Sequence, residues 1–157
     1  WTAGELYLLA KKSGVVAGEG LWECTDLNSG GGYGRKLVDC PQLRRTLLLQ
    51  GLAHPFSIGR SAPGDDVAAM KEAMDKGVGM WEKGAPQTLI TSLHSADENS
   101  EKEPYNRICD LSNGSCNAVN HMDTYAVCQK VCIEESCMIY VPYQNRYSSE
   151  SRAQCLK

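Results

Sequence analysis

The sequence predicts a mainly α-helical fold: short helices with long irregular loops, a small C-terminal strand or hairpin, and disulfide stabilisation. Three observations predict it. Apolar residues recur at spacings of three and four through Val67, Met70, Met74, Val78 and Trp81, which is the period of one helix face. Helix-start signals stand at Thr2-Ala-Gly-Glu5 and at Asp39-Cys-Pro-Gln42. Eight cysteines, six of them between Cys109 and Cys155, supply the staples.

In order, the first helix starts at the Thr2–Glu5 capping box, buries Leu6, Leu9 and Ala10, and stops at Gly14. Residues 24–40 read as a flexible loop around Asn28-Ser-Gly-Gly-Gly-Tyr-Gly34, tied at its base by Cys24 and Cys40. A phosphate cradle would need a strand before those glycines and a helix in register after them, and neither pattern is present. Asp39 caps a second helix that runs to Gln50, with Gly51 as its terminator. His54 to Gly64 is irregular by its prolines and glycines. The third helix starts at Asp65 or Asp66 and runs to Lys83. Gly77, Gly79 and Trp81 on or beside its stripe form a candidate interaction surface, because glycine lets another backbone approach. Pro86 begins a shorter helical turn through Leu89, Ile90 and Leu93.

Residues 97–104 are charged, lack apolar side chains and end in proline, the composition of a linker. They divide a helical core region, 1–96, from a cysteine-rich region, 105–157, packed on it; one single domain, 1–157, is the alternative. Val119, Met122, Ala126 and Ile133 share one helical face, with Cys128 and Cys132 on the same helix away from it. Met138-Ile-Tyr-Val141 is the strand candidate, and the Ser-rich tail is anchored by Cys155.

Composition bounds function by exclusion. The formal charge is −3, with ten basic and ten acidic residues in 1–90 and six against nine in 91–157. No basic run exceeds two residues, so the concentrated footprint of a nucleic-acid binder is missing. The triple-leucine run, Leu47-Leu48-Leu49, breaks at Gln50-Gly51 and is far short of a membrane span. An opening at Trp1 rather than Met, with no signal peptide, predicts a processed or trimmed form. An even cysteine count with no Cys-x-x-Cys predicts disulfides, and hence an organelle lumen, the intermembrane space or the extracellular space.

All eight cysteines, Cys24, Cys40, Cys109, Cys116, Cys128, Cys132, Cys137 and Cys155, are therefore disulfide candidates. A helical Cys-x-x-x-Cys pair holds its β-carbons about 5–6 Å apart, whereas a disulfide needs about 3.5–4.5 Å. Cys128 and Cys132 should then bond to other partners. Cys24–Cys40 is the first pairing expected, followed by Cys109–Cys132, Cys116–Cys128 and Cys137–Cys155, among the fifteen connectivities six cysteines allow. The alternative is a structural zinc site of Cys116, His121, Cys128 and Cys132. No other cofactor is implied.

The Cys128-x-x-x-Cys132 pattern resembles, over residues 109–137, the intermembrane-space proteins built on paired helices with twin cysteine motifs, although the second motif is absent. Ala73 to Trp81 and Asn120-His121 resemble the secreted CAP domain, without its histidine signature before the final strands. Asn113-Gly-Ser115 is a formal glycosylation sequon and equally a turn.

His54, His94 and His121 bound the catalytic options, and no hydrolase, metalloprotease or nucleotide-binding motif surrounds them. The expected function is a non-enzymatic structural or interaction protein, an accessory subunit of a larger assembly in an oxidising compartment, with protein partners and no nucleic acid. The alternative is a secreted cysteine-rich ligand-binding domain or small hydrolase with a groove near His94 and His121.

Overall fold

In the computed structural model the chain is mixed α/β, which corrects the mainly helical expectation: about 33% is helix and 25% strand. The structure describes residues 3–30, 34–99, 101, 103–146 and 151–156. Thr2 of the expected capping box, Gly31 to Tyr33 of the glycine-rich stretch and residues 147–150 of the Ser-rich tail lie outside them. The elements run α1 (Ala3–Glu19), β1 (Thr25–Gly30), β2 (Lys36–Asp39), α2 (Pro41–Leu49), β3 (Ser57–Ile58) and α3 (Gly64–Asp75). β4 (Thr88–Ser92), β5 (Tyr105–Asp110), β6 (Ser115–Asn120), β7 (Lys130–Ile133) and β8 (Ser136–Ile139) follow. They form a four-stranded sheet, β3-β6-β5-β4, and two separate hairpins, β1-β2 and β7-β8.

The cysteine-rich third departs furthest from the helical reading. Asn113-Gly114 is the turn of the β5–β6 hairpin: Asp110 Oδ1 accepts the Ser112 amide, Asn113 Oδ1 accepts the Ser115 amide, both at 2.8 Å, and Gly114 takes φ +71°. A Cβ at Gly114 would lie 2.7 Å from Ala62 Cβ, so glycine is required sterically as well. This turn sets Cys109 opposite Cys116, and the two are bonded with their Cα atoms 4.0 Å apart. Cys132 and Cys137 repeat the arrangement across β7–β8, whose turn carries Glu134 at φ +51°. Cys128 has φ +67°, a left-handed conformation that no α-helix continues through, and bonds Cys155. Cys24 bonds Cys40 at the base of β1–β2. The expected Cys109–Cys132, Cys116–Cys128 and Cys137–Cys155 pairs are replaced, because the segment is two hairpins and not a helix.

Thr88–Ser92, within the stretch expected as a helical turn, form β4, whose alternation serves two cores. Leu89 packs on the helices with Leu48, Val67, Met70, Trp81 and Leu111. Its neighbour Ile90 faces the other way, into Leu93, Tyr125, Val131 and Tyr140. The outer edge of β4 is closed by the β7–β8 hairpin: Ser136 Oγ accepts the Ile90 amide at 3.0 Å, and Glu135 accepts the Gln87 amide at 3.3 Å. The acidic run 97–104 connects β4 to β5.

The stripe of Val67, Met70, Met74, Val78 and Trp81 does pack into one core, but α3 ends at Asp75. Gly77 turns the chain at φ +59°, and Gly79 (φ +60°) brings the backbone against the turn that follows α2. There the Met80 amide donates to Gly51 O at 2.8 Å. A Cβ at Gly51 would lie 2.1 Å from Val78 O, and one at Gly79 would lie 2.3 Å from Gly51 O. The candidate interaction surface is thus corrected: Trp81 is 2% exposed, and the backbone Gly79 admits is the chain's own. Gly14 does not end α1, which continues to Glu19. At α2 the N-cap residue is Cys40, which makes no side-chain cap bond, while Asp39 pairs with Arg44 instead of capping.

Gly51→Ala should destabilise the protein by about 2 kcal/mol or more, from a left-handed φ and a backbone clash. Gly14→Ala, with nothing within 4 Å of its Cβ position, should stabilise it by about 1 kcal/mol. Urea denaturation of the two variants beside the parent checks both signs.

Candidate functional site

Where β4 ends and β5 begins, the fold buries two polar side chains, Ser95 and Asn106. Ser95, 2% exposed, accepts the Tyr125 amide at 2.7 Å and donates to Asp97. Asn106, 4% exposed, donates to the Tyr125 hydroxyl at 2.7 Å and accepts the His94 amide at 3.4 Å. The Ala96 amide donates to Asp123 O at 2.9 Å. These bonds tie the start of the acidic run to the chain that leaves β6. Burial, with Glu98 and Asp97 nearby, pushes the Tyr140 hydroxyl up from its usual range.

Both histidines of the expected groove sit at this cluster. His94 stacks on Tyr105, with ring centroids 4.4 Å apart, and its Nδ1 is 3.6 Å from Glu98 Oε2. Burial holds its pKa below the usual histidine value, partly offset by Glu98, with Arg146 and Arg107 lowering it further. His121 accepts the Asp123 amide on Nδ1 at 3.0 Å, and its Nε2 is buried with no hydrogen-bond partner among the described residues. That ring faces Tyr125 at 5.4 Å. His54 lies elsewhere, edge-on to Phe56 with ring centroids 6.4 Å apart and Nδ1 2.8 Å from Pro55 O; burial lowers its pKa.

The geometry is that of a structural network. The Ser95 hydroxyl is committed to a carboxylate and a backbone amide, with no imidazole on it among the described residues, whereas nucleophilic catalysis needs a base within hydrogen-bond reach. A concavity of about 520 Å³ lies between α3 and the start of β4, lined by Lys71, Met74, Pro86, Gln87, Asp110 and Ser112; neither His94 nor His121 contributes to it. The alternative zinc set is taken apart: Cys116, Cys128 and Cys132 belong to three different disulfides, leaving His121 without thiolate partners. Asn113 of the sequon is half-buried, with Nδ2 2.9 Å from Asp110 Oδ2 and Oδ1 holding the turn.

Two features went unread in the sequence. The first is a strip on one sheet face, where the Arg107 guanidinium lies 5.6 Å from the Phe56 ring centroid and 5.3 Å from that of Tyr105. The alternation Tyr105-x-Arg107 was its only signal. The second is the N-terminal hairpin. β1 and β2 pack chiefly on each other, with Leu27, Leu37 and Val38 about half exposed. Beside them in sequence, α1 leaves Leu6, Tyr7, Leu8 and Val15 exposed.

Comparison of the chain with protein-family models, curated proteins and solved structures returned no match. Among the described residues no helix is long and apolar enough to cross a membrane. All eight cysteines are in disulfides, which fits an oxidising compartment.

Acid should weaken the fold through His54. Its folded pKa lies below the unfolded value of about 6.5, so below that pH the unfolded chain binds a proton that the native state refuses. The melting temperature should be flat above about pH 6.5 and fall as pH drops from there toward 5. His54→Gln should make that limb shallower, with His94 supplying part of what is left, as read by thermal melts across the pH series.

Proposed function

We propose that the protein is a non-enzymatic interaction protein, an accessory component of a larger protein assembly in an oxidising compartment, which docks through α1 and the β1–β2 hairpin. The hairpin carries the reading. Two-stranded hairpins are marginal in water unless they pack on something, yet this one keeps Leu27, Leu37 and Val38 in solvent. Cys24–Cys40 fixes its shape without a core beneath it. A partner protein with an apolar surface would bury these residues together with Leu6, Leu8 and Val15 of α1, and the rigid base would lower the ordering entropy of binding. The commitment of Ser95, His94 and His121 to internal contacts supports this reading over a small hydrolase.

In a native extract the protein should elute with an assembly several times its own 17.2 kDa. Leu27→Glu together with Val38→Glu should release it as a folded monomer. Elution of the parent as a free monomer, or unchanged elution of the double variant, contradicts the proposal. His94→Ala and His121→Ala should leave the elution unchanged; a hydrolytic activity lost in either variant would favour the catalytic alternative.

A further inference from the structure

We propose that the outer edge of β6 receives an extended strand from a partner protein, seated over residues 117–120 in line with β3, with an acidic side chain toward Arg107 and an aliphatic one toward Val119. The inference is independent of the N-terminal surface, since it rests on a different element.

The ladder decides which backbone groups face outward. The Ser57 amide donates to Gly114 O at 3.1 Å and the Gly59 amide to Cys116 O at 3.3 Å, so the even-numbered carbonyls of this strand face β3. On the opposite side the His121 amide donates to Pro104 O at 3.2 Å. Because the two sides alternate along a strand, Asn117 and Val119 bond to β5, while the N–H and C=O groups of Ala118 and Asn120 point away from it. β3 covers only Ser115 and Cys116, in parallel register, and Gly59 at φ +67° then turns the chain off the edge. Among the described residues, a strand is therefore seated on the first half of this edge and none on the second.

An open edge is ordinarily blunted by lysine, proline, a bulge or an inward charge. Asn117-Ala-Val-Asn120 has none of these: it pairs with β5 in unbroken register, and all four residues are exposed. Ile58 at 64% and Val119 at 49% exposure flank the opening, one from β3 and one from β6 itself. Arg107 stands directly opposite Ala118 and makes no ion pair among the described residues. The methyl of Ala118 is too short to screen it. A residue on the added strand opposite Ala118 would sit about 10 Å from Arg107 across two strand spacings, a span that a glutamate and an arginine close together. The next residue falls on the other face, beside Val119. Main-chain bonds would supply affinity and the alternating side chains specificity, the mode of strand addition.

The test uses the whole oxidised chain and two end-capped heptapeptides, one alternating valine with glutamate and the other valine with lysine. Amide exchange followed by NMR should show Ala118 and Asn120 fast and Asn117 and Val119 slow in the free protein. The valine–glutamate peptide should slow Ala118 and Asn120. The valine–lysine peptide should bind about tenfold more weakly or worse, the loss of a charge-assisted contact. Ala118→Pro removes an outward N–H that the ladder does not use, so the fold should persist while Asn120 loses its peptide-induced protection. Val119→Lys serves the same purpose if that variant fails to fold. No slowing of Asn120 by the valine–glutamate peptide overturns the proposal. Equal binding of both peptides overturns the acidic specification, and Asn120 protection that rises with protein concentration alone assigns the edge to a second copy of the chain.

Discussion

The register of the β5–β6 hairpin, locked where Cys109 faces Cys116, is the constraint on which the rest of the sheet depends. Both cysteines are fully buried, and their pair sits where neither residue bonds to the other's backbone. That position sends the amides and carbonyls around Cys116 outward, and β3 uses them. It also puts Asn106 on the face that meets Tyr125 and Arg107 on the opposite face. A slip of one residue would exchange those faces, burying Arg107 and exposing Asn106. Disulfide, turn and alternation agree on one register.

The sheet then serves as a partition between two small cores. The helices α2 and α3 cover one face through Leu48, Met70 and Trp81; Tyr125, Val131 and Tyr140 cover the other. Neither core includes α1 or the N-terminal hairpin. The chain therefore keeps its best-packed residues central and leaves its N-terminal quarter, rich in exposed leucine, outside them. Arg44 bridges α2 to the first turn of α3 through Asp66, 2.9 Å away and only 8% exposed, so the helical layer is pinned at one end by that pair and at the other by the Gly51–Gly79 contact.

How much of this was legible depended on which periodicity was unambiguous. The stripe from Val67 to Trp81 identified core residues correctly, yet overran the helix, because Gly77 leaves the helical region while Val78 and Trp81 still return to the same core. Cys128 and Cys132 at a spacing of four invited a helix. The better signal was symmetric placement: Cys109 and Cys116 are equidistant from a turn ending in Asn113-Gly114, and Cys132 and Cys137 from Glu134-Glu135. The β-branched Thr88, Ile90 and Thr91 likewise carried strand propensity that the preceding proline masked. His94 and His121 were singled out for scarcity, but their roles depend on Asn106, Tyr105 and Tyr125, which lie far from at least one of them in sequence. The exposed edge of β6 was invisible for a different reason, since an unpaired backbone leaves no mark on side-chain patterns.

Peptide mapping of the non-reduced protein tests the stapled-hairpin architecture most directly. Cys109–Cys116 and Cys132–Cys137 should be recovered as two short loops, with Cys128–Cys155 and Cys24–Cys40 closing the longer ones. Recovery of Cys109 linked to Cys132, or Cys116 to Cys128, would contradict it and restore a helix to the C-terminal third.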